Sequence, residues 1–72
     1  MIPITKITHP EIRKFVAAAH AAKWRSAWGG GGHIKLYPAD RSQPMVILAA
    51  SPSDHRSIRN SRAELRRSGL AI

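Results

Sequence analysis

The chain has no cysteine, and only four Asp and Glu residues stand against twelve Lys and Arg among its 72. Without thiols there are neither disulfide staples nor thiolate metal ligands, so stability rests on packing or self-association. Two Trp, one Tyr and one Phe are its only aromatics, and a core this small needs at least one tryptophan inside. Long apolar runs are missing too. The longest, Met45 to Ala50, is far too short to span a bilayer, and the N-terminus lacks the charged region and apolar core of a signal peptide. No membrane contact is expected, and the cytoplasm is the default location. The length predicts one domain, residues 1–72, with one small core.

What is present in excess is positive charge. A formal charge of +8 on so short a chain repels the folded molecule from itself and suits a polyanionic partner. Nucleic acid fits best, because Lys and Arg contacts to phosphates release condensed counterions. The plainer alternative is a basic surface that serves solubility.

The order of elements follows from local signals. Residues 1–7 read as an extended N-terminal arm, since Ile2-Pro3-Ile4-Thr5 alternates weakly and Pro3 argues against a central strand. Thr8-His9-Pro10-Glu11 predicts a helix start with Thr8 as cap, Glu11 reaching back and an Ile7–Ile12 staple. Ile12, Phe15, Val16, Ala19 and Ala22 then form one stripe, giving a helix to about Lys23. Trp24 to Trp28 reads as a short strand or turn ended by the glycine run, which is expected to be a flexible loop. His33 to Tyr37 alternates, with Ile34 and Leu36 on one face and His33, Lys35 and Tyr37 on the other. Residues 38–44 are turn chemistry and Met45 to Ala50 is an apolar strand, so the pair predicts a hairpin. Ser51 as cap and Pro52 in the first turn predict a last helix running to about Ser68, with Gly69 as a left-handed stop and Leu70 folding back.

Two constellations carry chemistry. On the last helix Arg56, Arg59, Arg62, Arg66 and Arg67 spread over an arc of roughly 140° away from Ile58 and Leu65. Guanidinium forks suit phosphate oxygens, and the acids are too few to pair them all. The second is His33, behind Gly29 to Gly32 and on one strand face with Lys35. A neutral His33 is able to take the proton of a ribose hydroxyl while Lys35 steadies the charge on the phosphate. The ribose supplies the nucleophile, so no cofactor or metal is needed. The alternative is a partly exposed strand-end histidine without a catalytic role. His55 is a candidate partner for His33, whereas His9 and His20 read as surface residues, and none of the four has the paired spacing of a zinc motif. Trp24 and Trp28 are candidates for base stacking but better ones for the core.

The segment Gly30-Gly31-Gly32-His33-Ile34-Lys35-Leu36 resembles the glycine, histidine, apolar, lysine, leucine segment of HicA-type toxins. The closing Leu65-Arg66-Arg67-Ser68-Gly69-Leu70 is similar to that family's last helix and its Gly-Leu stop, and the likeness runs from about Ile12 to Leu70. It implies an α+β fold of the double-stranded-RNA-binding type, a three-stranded antiparallel sheet with two helices packed on one face. It also implies an mRNA endoribonuclease with His33 as its catalytic residue and a HicB-like antitoxin as partner. The stretch Ser51 to Arg56 is more polar and arginine-rich than in that family and is similar to small phage-encoded variants with a Pro-Ser-Asp helix start. For such a variant two further readings stand beside the toxin: a nucleic-acid-binding module that has lost the chemistry, and a protein that binds an acidic host protein. Neither RNA against DNA preference nor a homodimer is decided by these residues.

Overall fold

The computed structural model describes residues 1–72. In chain order it contains α1 (Pro10–Ala21), β1 (Arg25–Trp28), β2 (His33–Tyr37), β3 (Val46–Ala49) and α2 (His55–Arg67), with single 3-10 turns at Ile4–Lys6 and Gly30–Gly32. The strands form one antiparallel sheet in the order β1-β2-β3. This is the expected α-β-β-β-α arrangement. The alternation of β2 sets the layers. Ile34 and Leu36 are fully buried, and the register places them opposite Leu48 and Val46, both buried as well. Ile12, Phe15, Val16 and Ala19 of α1 and Leu65 of α2 join the same core, so both helices cover this one face. Burying an aliphatic side chain contributes about 1.5–3 kcal/mol, and α2 adds only Leu65, with Ile58 half-covered beside it. Trp24 is the tryptophan inside, whereas Trp28 is 45% exposed.

The two helices end in the same way. After α2 the amide of Gly69 donates to Arg66 and that of Leu70 to Leu65, with Gly69 at φ 99° and Leu70 buried. After α1 the amide of Lys23 donates to His20 and that of Trp24 to Ala19, with Lys23 at φ 67° and Trp24 buried. Both are Schellman ends, in which a left-handed residue lets the chain turn back and its apolar successor pack on the last turn. α1 thus stops two residues before the expected Lys23.

Three local expectations are corrected. Residues 1–7 are not an extended arm: Ile4–Lys6 makes a 3-10 turn, and Ile2 and Ile7 enter the core. A chain with so few large apolar residues gains more by burying two isoleucines than by leaving them in water. The cap of α1 is His9 rather than Thr8, its Nδ1 accepting from the Glu11 amide at 3.2 Å. Pro10 occupies the first helical position, which makes the residue directly before it the cap. Ile7 and Ile12, the expected staple pair, are both buried in the one core, and the Arg13 guanidinium donates twice to the Ile7 carbonyl at 3.0 and 2.8 Å. The cap of α2 is Asp54 rather than Ser51, its carboxylate accepting from the Arg56 amide at 2.9 Å. Residues 50–54 are spent in carrying the chain from the sheet edge to the helix layer.

Candidate nucleic-acid interface

The face of the sheet opposite the helices is uncovered. β2 presents His33, Lys35 and Tyr37 there, and the register sets Ala49 beside His33, Ala27 and Ile47 beside Lys35, and Arg25 beside Tyr37. Ile47 is 52% exposed. None of the seven is acidic. The protein's carboxylates lie elsewhere: Glu11 on α1, Asp54 and Glu64 at α2, and Asp40 in the β2–β3 turn. Asp40 accepts from the hydroxyl and the amide of Ser42 at 2.7 and 2.9 Å, and these two bonds, the hydroxyl first, lower its pKa.

The glycine run is a tied turn. The Gly29 amide donates to the His33 carbonyl at 2.8 Å, and the Ala50 amide donates to the Gly32 carbonyl at 3.0 Å. Gly31 and Gly32 both have positive φ, 69° and 78°, a conformation that costs other residues about 1–2 kcal/mol each. Glycine is therefore the favoured residue at these two positions, and their bends bring the Gly30 carbonyl to the imidazole. His33 Nδ1 lies 2.9 Å from that oxygen. A carbonyl only accepts, so Nδ1 carries the proton. In the neutral ring Nε2 is then left as a lone-pair acceptor on an exposed side chain. Lys35 runs along the same turn: a methyl group placed on Gly29 would lie 3.3 Å from its Cε.

The structure does not bring the arginine helix to this face. Of the five arginines predicted to hold RNA, two are engaged within the fold. Arg62 lies 5.6 Å above the Phe15 ring and 3.6 Å from the Glu11 carboxylate, bridging the two helices. Arg66 donates to the Ile72 carbonyl. Arg56 and Arg59 border an open depression with Asn60 and Ala63, and Arg67 borders a groove between α2 and the edge strand β3. All five belong to the helix layer, on the far side of the sheet from His33. His55 does not pair with His33 either; it borders a hollow with His9, Glu11 and Arg59 at the starts of the two helices. Trp28 sits opposite Ile34 in the register and so has the parity of the helix side. No group of three or more His, Asp or Glu side chains comes together that would hold a metal ion.

One residue that the strand pattern of β2 does not point to completes the open face. Arg25 lies with its guanidinium 5.9 Å from the centre of the Tyr37 ring, a cation–π pair. Only the β1–β2 register reveals it, because the two are twelve positions apart.

Fold and site together define a small, strongly basic α+β domain whose bare sheet face carries an oriented imidazole. Comparison with family models, with curated proteins and with solved structures gives no match. No helix is long and apolar enough to cross a membrane.

Proposed function

We propose that this protein is an RNA-binding endoribonuclease of the HicA-like kind, cutting mRNA without a metal and using His33 as general base. The observation that carries this reading is the His33 ring, whose Nδ1–H is taken by the Gly30 carbonyl at 2.9 Å, leaving Nε2 to accept a proton beside Lys35. A ribose 2′-hydroxyl brought to Nε2 gives up its proton, and its oxygen forms a bond to the adjacent phosphorus. The bond from phosphorus to the 5′ oxygen breaks, that oxygen takes a proton from water, and the hydroxide left behind takes the proton held on Nε2, which restores the neutral ring. The products are a 2′,3′-cyclic phosphate and a 5′-hydroxyl. The Lys35 ammonium offsets the charge that builds on the non-bridging oxygens. Following the resemblance, a HicB-like antitoxin is the protein partner that fits this role.

General-base assistance contributes about 10²–10⁴-fold to a rate. His33→Ala is expected to slow cleavage of a mixed RNA by that factor while leaving its binding unchanged. Cleavage at the wild-type rate removes the catalytic role.

A second reading, a module that binds nucleic acid or an acidic host protein without cutting, is favoured by one specific observation. His33 is the only histidine on the open face, so no second imidazole stands ready to protonate the leaving oxygen. Under that reading wild-type protein leaves the same RNA intact.

A further inference from the structure

Tyr37 lies at the end of the open face furthest from His33. At about 3.3 Å per residue, the four steps along β2 separate them by about 13 Å, a span of about two nucleotides in an extended single strand. Two surface hollows meet at the Arg25–Tyr37 pair. One is bordered by Met1 and Ser26 together with this pair, the other by the same pair with Arg41, Gln43 and Met45. No carboxylate borders either hollow, and Asp40, in the same turn as Arg41, is bonded to Ser42.

We propose that the Arg25–Tyr37 pair and the Arg41–Gln43–Met45 side of the β2–β3 turn form a base-binding subsite for single-stranded RNA, two nucleotides along from the position held at His33. The subsite deepens the ribonuclease reading by naming the form of RNA that this face accepts. Tyr37 is half-buried with the Arg25 guanidinium over its ring, and the two together make a stacking platform: every base has a π-face, and a planar guanidinium between base and ring adds a cation–π contribution. Gln43 carries both a donor and an acceptor for a base edge, and Arg41 a fork for a phosphate. Duplex RNA keeps its bases stacked on one another and offers none to Tyr37. An acidic peptide would engage the arginines but leave the ring unused. A second copy of the chain would bring +8 against +8.

The test is the anisotropy of a labelled eight-nucleotide 2′-O-methyl single strand, which no 2′-hydroxyl chemistry is able to cut, alongside a duplex of the same sequence. Base stacking on an aromatic corresponds to a loss of about 5- to 150-fold in Kd on removal of the ring. Tyr37→Ala is expected to weaken the single strand by that factor and the duplex by less than twofold, and Tyr37→Phe to bind like wild type. Equal single-strand affinity in Tyr37→Ala and wild type overturns the subsite, as does a Tyr37→Phe variant as weak as Tyr37→Ala. Arg41→Ala lies in an exposed turn and keeps the test decisive if Tyr37→Ala fails to fold: a several-fold loss supports the subsite, and no loss overturns it. Because the probe is uncuttable, the two readings fail separately. Wild type that binds through Tyr37 yet leaves ordinary RNA intact loses only the ribonuclease reading. Cleavage that needs His33 but ignores Tyr37 loses only the subsite.

Discussion

At the scale of single residues, His20 shows how a side chain expected at the surface becomes part of the structure. Its Nε2 lies 2.6 Å from the Ser26 hydroxyl, which accepts from the Ile2 amide at 3.0 Å. The Ser26 oxygen has two lone pairs and one proton, so the direction of its bond to the imidazole follows the His20 tautomer. Burial, and after it the charge of the N-terminal ammonium, lower the pKa of His20 from 6.5. The sign of the linkage follows. Below pH 6.5 the unfolded chain takes up a proton that the folded one refuses, so stability is complete above that value and falls as the pH drops through the window beneath it. His20→Gln retains a hydrogen-bond partner for Ser26 but does not titrate. Urea midpoints measured across this window are expected to fall less steeply in the variant than in wild type; parallel slopes would show that His20 does not carry the effect. The helical stripe correctly left His20 off the core side of α1. What it lacked was Ser26, which reaches His20 only through the turn after α1 and the parity of β1.

At the scale of elements, the strands and the end of α2 were legible and the other helix ends were not, for a reason visible at Lys23. Alternation gives β2 its bounds of His33 and Tyr37 without any tertiary information, because a half-buried strand must show a period of two. A helix end carries a sequence signal only when a residue with special backbone freedom marks it. Gly69 does so for α2, whereas at the same position of the same motif α1 has Lys23, at φ 67°. The left-handed conformation costs lysine about 1–2 kcal/mol, offset here by two amide hydrogen bonds and by the burial of Trp24. The caps were misplaced for a related reason: prolines, serines and aspartates near a helix start offer several starts, and the path of the chain between layers selects one. Lys23→Gly removes the strain but loosens the unfolded chain by about 0.4–1 kcal/mol. The net gain is expected to be about 0.5–1 kcal/mol, read as a higher urea midpoint with unchanged slope. A lower midpoint would mean that the Lys23 side chain contributes more than its exposed position indicates.

At the scale of the whole molecule, the positive charge is divided between two layers that face away from each other. From the sequence alone the arginine helix and His33 read as one site, because linear order and a helical wheel place residues on faces without saying which face meets which. The sheet decides it: Ile34 and Leu36 turn towards the helices, so His33 and Lys35 must turn away. An RNA held at His33 therefore crosses the open sheet, and Arg56, Arg59 and Arg67 reach only a flanking part of it or a second segment. These arginines then act on affinity and not on the chemical step. Each phosphate contact on a single strand contributes about −0.7 to the slope of log K against log salt. Replacing Arg56, Arg59 and Arg67 with glutamine is expected to flatten that slope by about 2 if all three hold phosphates, while kcat on saturating RNA stays at the wild-type value. Lys35→Gln is expected to act the other way, lowering kcat and flattening the slope by no more than about 0.7. A loss of kcat in the triple arginine variant, with the fold intact by circular dichroism, would mean that the reacting phosphate lies against α2, and the division of labour between the two layers would have to be abandoned.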